Sequence, residues 1–360
     1  MGNLLQYIRD FGQQPFSERP FDGVDGLVLA ELTMCKWENG MIEQAEVRNV
    51  PLLQDGVLVS DGFSEPDDRR MVELIQCSER FGTLRVSDYA YRLDPDAETQ
   101  FAAITYHLPD GSHFVCFRGT DRNLIGWKED CNMSFRAVIP SQEYACEYLA
   151  RIAARYEGTL RVGGHSKGGN MSIFASATAD PAVRDRITAI YSYDGPGLNS
   201  RADADRLYPL IEDRLHFYVP QGSLVGMLLA HPDHYAVVQS DALGFGQHDP
   251  FTWVIIDGAF SRREKRSWES LWFERTFQNW IRGVTDEHRG EFVDAVFSIL
   301  GATNAEKFDD DLWRSYRENP SALKRASGDV PPDVRDHIKQ MIRDFAKTAV
   351  RKDPEDKKTE

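Results

Sequence analysis

The residues best suited to chemistry lie at a turn between a predicted strand and a predicted helix. The segment Gly164-His165-Ser166-Lys167-Gly168 follows an apolar run that starts at Leu160 and precedes a helix rich in small residues. Glycines two positions before and after a strained apical serine leave room for the neighbouring strand and helix. The free N–H groups of the helix favour a developing negative charge there. The pattern predicts a nucleophile at Ser166; the alternative is a serine that only caps the helix.

The elements that would position this serine alternate along the middle of the chain. Short runs rich in β-branched and aromatic residues predict strands at Phe101–Tyr106, His113–Phe117, Leu160–Gly163, Ile187–Tyr193, Leu215–Val219 and Tyr235–Gln239. Pro109-Asp110-Gly111 predicts a hairpin between the first two. Helical spacing predicts helices at Gln142–Tyr156 and Gly168–Ala179, and two earlier amphipathic helices over residues 25–37 and 66–80. Alternating strands and helices favour an α/β fold with a sheet that is parallel over most of its width.

Composition excludes several classes of function. The chain has 42 basic and 57 acidic side chains and a net charge of −15, which disfavours binding to nucleic acid or to an anionic membrane surface. Five cysteines without a Cys-x-x-Cys pair predict buried reduced thiols rather than disulfides or a zinc site. The sequence shows no signal peptide and no long apolar span, so we expect a cytoplasmic protein without stable membrane insertion.

The last hundred residues differ from the rest of the chain. They carry 20 basic and 20 acidic side chains, so the net charge lies in residues 1–260. We place a boundary near residue 260 and predict a helical extension over residues 261–350 and a disordered tail over 351–360. Residues 268–300 predict two or three amphipathic helices that pack on the body or form a homodimer contact. The apolar run at residues 224–229 is expected to line an acyl pocket or to form a core helix.

Further motifs carry a family resemblance. Phe117-Arg118-Gly119-Thr120, then Trp127-x-x-Asp130, then the serine turn resemble the fungal-type, class-three triacylglycerol lipases. The chain is also similar to an uncharacterised bacterial family of α/β-hydrolase-like proteins related to those lipases. That similarity rests on three segments and covers about residues 20–300: Val24-Asp25-Gly26-Leu27-Val28-Leu29, Tyr191-Ser192-Tyr193-Asp194-Gly195-Pro196-Gly197 and Gln247-His248-Asp249-Pro250-Phe251. It implies an α/β-hydrolase-like fold.

The resemblance also implies roles around the serine. Thr120 and the backbone N–H of Lys167 would form an oxyanion hole, and residues 121–127 would form a lid. We expect Arg118 and Asp130 to form a structural ion pair that anchors this loop. The Lys167 side chain replaces the apolar residue usual in these lipases. We expect it to pair with a carboxylate; the alternative is that it neutralises an acidic group of the substrate.

A serine nucleophile needs a histidine base and a carboxylate that orients the histidine. His248 follows the last predicted strand and is the expected base, with His231 and His234 as alternatives, while His165 is expected to be a packed histidine. The class-three lipases carry their acid after the strand equivalent to Leu215–Val219, where this chain has none. Asp194, one strand earlier, is the expected acid; it could instead only hold the turn, and Asp249 is the lesser candidate.

The sequence as a whole predicts an α/β-hydrolase-like domain at residues 1–260 with a mostly parallel central sheet flanked by helices. The predicted function is a serine hydrolase that cleaves a carboxylic ester, including lipid esters, through an acyl-enzyme formed by Ser166, His248 and Asp194. It needs no metal or cofactor, and the expected partner is a small-molecule ester or lipid substrate. The alternative is an inactive hydrolase-fold scaffold that binds a ligand or a protein.

Overall fold

A single large sheet organises the protein. The computed structural model describes residues 2–35, 37, 43–54, 57–58, 65–300, 332, 334–336, 339–340 and 343. The strands within these residues are β1 (Ala45–Glu46), β2 (Leu53–Gln54), β3 (Val57–Leu58), β4 (Arg85–Asp94), β5 (Thr99–His107), β6 (His113–Phe117), β7 (Leu160–His165), β8 (Ile187–Tyr193), β9 (Leu215–Pro220), β10 (Ala236–Val238), β11 (Ile255–Ile256), β12 (Ala259–Phe260) and β13 (Arg262–Arg263).

Nine of these strands form the central sheet, in the order β1-β4-β5-β6-β7-β8-β9-β10-β13. The four neighbour pairs from β6 to β10 are parallel, whereas the two pairs before β5, the β5–β6 hairpin and the β10–β13 pair are antiparallel. The predicted hairpin is therefore correct. The expectation of a mostly parallel sheet holds only for its centre, because the antiparallel strands that extend both edges were not all recognised in the sequence.

Helices cover both faces of this sheet. They are α1 (Leu4–Phe11), α2 (Gly23–Leu32), α3 (Glu65–Gln76), α4 (Glu79–Gly82), α5 (Leu124–Asn132), α6 (Pro140–Arg155), α7 (Lys167–Thr178), α8 (Pro181–Arg184), α9 (Arg201–Leu207), α10 (Trp268–Arg282) and α11 (Asp286–Leu300). Successive side chains of a strand point to opposite faces. In β6, Phe114 and Cys116 join a core with Leu27, whereas Val115 and Phe117 join a second core with Leu149 on α6. The structure is thus a mixed α/β fold in three layers.

The N-terminal helices differ from their predicted form. Every residue of α2 from Val24 to Leu32 is buried, so this helix is enclosed rather than amphipathic. Asp22 and Asp25 start it with a reciprocal capping box. The single helix expected over residues 66–80 is two helices, because the Ser78 side chain accepts from the N–H groups of Phe81 and Gly82 and so caps α4.

The C-terminal part of the described chain continues the same body. The strand β13, just after residue 260, pairs with β10 at the sheet edge. Helices α10 and α11 follow, and α11 packs against α5. The boundary at residue 260 stays a prediction. Most of residues 301–350 and the predicted tail at 351–360 lie outside the described residues.

The cysteines are all free thiols, but the prediction of buried thiols holds for only part of them. Cys35 and Cys116 are buried, whereas Cys77 and Cys131 are exposed. Among the residues with described placement, no group of three or more His, Cys, Asp or Glu side chains could hold a metal ion. None of the helices described above is long and apolar enough to cross a membrane.

Candidate active site

The serine turn joins β7 to α7 in strained backbone. Ser166 has φ +56° and ψ −127°, a left-handed conformation that residues other than glycine rarely adopt. A Cβ atom on Gly164 would lie 2.5 Å from the carbonyl oxygen of Phe117, and one on Gly168 would also collide with that oxygen. Both glycines are therefore required for the turn to pack against β6. Ser166 itself stays partly exposed.

Three predicted side chains meet at this turn. His248 Nε2 lies 3.0 Å from Ser166 Oγ, and His248 Nδ1 lies 2.7 Å from Asp194 Oδ2. The three residues come from chain segments far apart in sequence and form one continuous line of hydrogen bonds. The carboxylate orients the ring and fixes the tautomer in which Nε2 can accept the serine proton.

Asp194 is held in place by its own neighbours. It is fully buried, follows β8 with φ +48°, and donates its N–H to the carbonyl oxygen of Tyr218 on β9. Its Oδ1 accepts from Ser223 Oγ at 2.5 Å and from the backbone N–H of Gly226 at 3.1 Å. The carboxylate thus contacts His248 with one oxygen and is fixed by donors on the other. Nothing in the local sequence marked Ser223 as a partner of Asp194.

His165 supports the histidine of this trio. Its ring lies 4.6 Å from that of His248, centroid to centroid, and its Nε2 lies 2.9 Å from the carbonyl oxygen of His248. On the other side, Nδ1 lies 3.2 Å from Glu31 Oε1 on α2. Burial lowers the pKa of His165, but Glu31, Asp194 and the hydrogen bond to the His248 carbonyl oxygen together raise it above the usual value. The expected packed histidine is therefore also a link between α2 and His248.

The predicted oxyanion residues, Thr120 and Lys167, line the same cavity as Ser166. The Thr120 hydroxyl donates its proton to Asp130 Oδ2 at 2.6 Å. Burial raises the pKa of Asp130 to about 6, against the opposing effects of the Lys167 ammonium and this hydroxyl. The backbone N–H of Lys167 opens α7, where the first N–H groups of a helix have no acceptor within the helix.

The Lys167 side chain belongs to a buried ion pair. Its Nζ lies 2.9 Å from Glu129 Oε2 and donates to the carbonyl oxygen of Gln100 at 2.9 Å. Glu129 also accepts from Thr99 Oγ1 and from the backbone N–H of Ser141. Burial alone would raise the pKa of Glu129 and lower that of Lys167, but their attraction reverses both shifts. The expected structural pairing of Lys167 is correct, and its ammonium is buried against Glu129.

The loop after β6 is anchored differently from the expectation. Arg118 pairs with Asp121 at 3.0 Å, so the predicted Arg118–Asp130 pair is wrong. Asp130 instead accepts from Thr120 and lies near Lys167. The segment expected to be a lid runs directly into α5, whose first turn is capped by the Asn123 side chain.

The alternative histidines do not approach the serine. His231 Nε2 lies 2.9 Å from Glu274 Oε1 on α10, and His234 is exposed. His107 and His113, at the β5–β6 hairpin, are half-buried and lie 2.8 Å apart through their Nδ1 atoms. Asp249 does not reach His248 Nδ1; its Oδ1 accepts from the backbone N–H of Phe251.

A cavity of about 620 Å³ opens beside Ser166. Its apolar lining comes largely from the turn after β9, from α5 and from the C-terminal helices: Met133, Val225, Leu228, Leu229, Phe277, Phe292 and Val293. The run at residues 224–229 therefore lines the cavity, and only Val225–Met227 form a short 3-10 helix. The role of α10 and α11 as a cavity wall was missed in the sequence, because an amphipathic pattern shows that a face is buried but not what it faces.

Comparison with known proteins gives one family and a set of distant structures. Comparison with curated protein sequences gives no match. Nine solved chains match, among them the native Rhizomucor miehei lipase propeptide complex, at 15% identity and TM-score 0.32 over 44% of this chain and 58% of that one. The M37 lipase matches at 15% identity and TM-score 0.34 over 56% of this chain and 68% of that one. This chain thus spans just over half of the Rhizomucor structure.

The family comparison covers most of the fold described above. The Mbeg1-like family matches residues 75–298, which include the serine turn, the segments of Asp194 and His248, and the helices that wall the cavity. By this match the chain belongs to the Mbeg1-like family.

Proposed function

We propose that the protein is a serine hydrolase that cleaves a carboxylic ester through an acyl-enzyme. One observation carries this proposal: Ser166 Oγ, His248 Nε2, His248 Nδ1 and Asp194 Oδ2 are linked by contacts of 3.0 Å and 2.7 Å at the mouth of an apolar cavity. This arrangement can move a proton from the hydroxyl to the ring, which a serine needs in order to act at neutral pH.

In the proposed reaction, Ser166 Oγ forms a bond to the carbonyl carbon while its proton passes to His248 Nε2. The backbone N–H of Lys167 stabilises the oxyanion. The C–O bond to the alcohol then breaks, and His248 returns its proton to the departing oxygen. Water repeats the sequence: it gives a proton to His248 while its oxygen bonds to the acyl carbon. The bond from that carbon to Ser166 Oγ then breaks, His248 returns the proton to Oγ, and the acid leaves.

Two features of the sequence favoured an inactive scaffold, and both have another explanation in the structure. The missing carboxylate after β9 is replaced by Asp194 after β8, which lies against His248. The lysine next to the nucleophile is held by Glu129. The apolar lining of the cavity supports an ester with a hydrocarbon acyl group.

The test compares the parent with Ser166→Ala, using a fluorophosphonate probe and a p-nitrophenyl ester. We expect the parent to be labelled and to turn the ester over, and the variant to lose labelling and about 10⁴-fold or more of the turnover. Ser176→Ala is the matched control, because Ser176 is buried on the same helix and its hydroxyl has no hydrogen-bond partner. Equal turnover in parent and Ser166→Ala, or an unlabelled parent, would refute the proposal.

A further inference from the structure

One part of the cavity wall carries carboxyl groups instead of apolar side chains. Glu31 on α2, Asp68 on α3 and Asp249 next to His248 all line the same cavity as Ser166. Glu31 and Asp68 are only 5% and 3% exposed. Charged side chains are rarely buried this deeply unless something pairs with them.

Asp68 is the carboxyl without a partner. Its Oδ2 atom is buried and makes no hydrogen bond. Burial is the largest of the effects that together raise its pKa to about 8; the carboxylates of Glu31, Asp249 and Asp67 act in the same direction, and Arg122 opposes them. An unsatisfied buried polar group costs free energy and calls for an explanation. A bound cation beside Oδ2 would supply the missing partner.

The basic groups that line the cavity already have partners of their own. Lys167 pairs with Glu129, and Arg289 pairs with Asp286 at 2.6 Å while it donates to the carbonyl oxygen of Ser134. His165 is paired with Glu31. The carboxylates around Asp68 therefore outweigh Arg122 and make the field there negative. Low-dielectric walls concentrate such a field in the cavity.

The chemistry of the surroundings indicates an organic cation rather than a metal ion. Across the described residues, no set of three or more acidic, His or Cys side chains is spaced to hold a metal. The Phe245 ring lies 5.6 Å from that of His248, centroid to centroid, and Phe251 and Trp127 also line the cavity. Aromatic faces attract ammonium groups, quaternary ones included.

The positions of Glu31 and Asp249 indicate which part of the ester, the alcohol or the acyl chain, would carry the cation. Asp249 follows His248, and Glu31 contacts the histidine that bonds the His248 carbonyl oxygen. In the proposed reaction, His248 gives its proton to the departing alcohol oxygen. The alcohol must therefore leave on the side of the cavity where the carboxyls lie, while the acyl chain takes the apolar side formed by α10 and α11.

We infer that the preferred substrate is an ester whose alcohol carries an ammonium group, bound beside Asp68. This inference rests on the proposed function for its reaction, because it names the substrate class of the same site. The binding part does not require turnover and is tested separately.

The test measures binding to Ser166→Ala by titration calorimetry at pH 9, where the Asp68 carboxyl, with a pKa of about 8, is ionised. It uses two probes of the same shape. Hexanoylcholine carries the ammonium group, and 3,3-dimethylbutyl hexanoate replaces its nitrogen by carbon. We expect hexanoylcholine to bind about tenfold or more tightly. Asp68→Asn in the same background should bring the two affinities close together. Asp67→Asn is the matched control, because it removes the same charge one residue away at an exposed position, and it should keep the preference.

Each outcome decides the inference. Equal affinity for the two probes, or a preference that survives Asp68→Asn, overturns it. The ratio of kcat/KM for the two esters in the parent then separates the two proposals. Hydrolysis of both esters at the same rate leaves the serine hydrolase standing without the cation site. A preference in binding with no hydrolysis of either ester leaves the cation site standing without the hydrolase.

Discussion

Two buried groups of charged side chains in this protein are built in opposite ways. In the N-terminal core, Arg80 is fully buried and donates to both oxygens of Asp25, at 2.7 Å and 2.5 Å, and to three backbone carbonyl oxygens. The Tyr7 hydroxyl also donates a hydrogen bond to Asp25 Oδ1, at 2.8 Å. At the cavity, the buried oxygen atoms Asp68 Oδ2 and Asp130 Oδ1 make no hydrogen bond, and Asp130 Oδ1 lies 3.7 Å from Lys167 Nζ.

The difference separates stability from function. Around Arg80, every donor of the guanidinium is used within the fold, which ties α1, α2 and α4 together. Around the cavity, buried polar atoms remain without hydrogen bonds, and the fold does not offset the cost of their desolvation. Changes in the first region should therefore reduce stability, and changes in the second should alter activity or even raise stability.

The largest effect is expected at the cavity. His248→Ala removes the base of the proposed reaction, and we expect ester turnover to fall about 10⁴-fold or more. The free energy of unfolding, measured by urea denaturation, should change by less than about 1 kcal/mol, because the ring is partly exposed. His234→Ala, at an exposed histidine of the preceding loop, should change neither quantity. If ester turnover survived His248→Ala, the proposed contrast between a cavity built for activity and an N-terminal core built for stability would be wrong.

The next effect is expected in the N-terminal core. Arg80→Met leaves Asp25 buried without its cation, and the free energy of unfolding should fall by about 3–5 kcal/mol. The fraction of protein that still folds should react with a fluorophosphonate as the parent does. Arg206→Ala is the control, since its pair with Asp203 is exposed and is worth less than about 1 kcal/mol. If the free energy of unfolding fell equally in Arg80→Met and Arg206→Ala, the buried Arg80 network would stabilise the protein no more than an exposed ion pair does.

A smaller effect of opposite sign is expected at Asp68. The folded protein keeps this carboxyl protonated up to about pH 8, whereas an unfolded chain releases the proton near pH 4. The folded state binds the extra proton between these values, so the free energy of unfolding falls as pH rises through this window. Asp68→Asn should stabilise the protein at pH 8 and scarcely at pH 4. Urea denaturation at both pH values measures this, and a gain that is the same at both would contradict it.

The smallest effect is expected at Ser223, whose hydroxyl hydrogen-bonds the buried carboxylate of the site. Ser223→Ala removes the hydroxyl that donates to Asp194 Oδ1. We expect turnover to fall about tenfold and stability to fall by about 1 kcal/mol, because one hydrogen bond to a buried carboxylate is lost. Ser223→Thr keeps the hydroxyl and should restore much of the turnover. Failure of threonine to restore it would indicate that the loss comes from packing.

The sequence could predict the parts of the site that are local. Gly164, Ser166 and Gly168 lie within five residues, and their types follow from the shape of one turn. His248 and Asp194 follow strands, so their meeting could be expected from the order of the elements. The partners that hold them could not, because Glu31, Glu129 and Ser223 come from distant segments without a local pattern.

The misassigned parts have equally specific causes. Strand β4 was missed because its pairing with β5 shifts between Ser87 and Ala90, around Asp88 at φ +58°, which interrupts the alternation that marks a strand. The sequence analysis predicts an ion pair between Arg118 and Asp130, whereas in the structure Arg118 pairs with Asp121, three residues along the chain. Charge alone identifies which side chains need a partner but not which one they find.

Part of the cavity wall comes from the C-terminal helices, which are synthesised long after Ser166. The turn of Ser166 can form once β6, β7 and β8 are complete, yet the wall made by Phe277, Phe292 and Val293 has not then been synthesised. A growing chain can therefore hold Ser166 in its turn before it has either the base, His248, or the wall that would bind a hydrocarbon. Synthesis order would thus keep the nascent protein from acting on its substrate until its last described helices have docked.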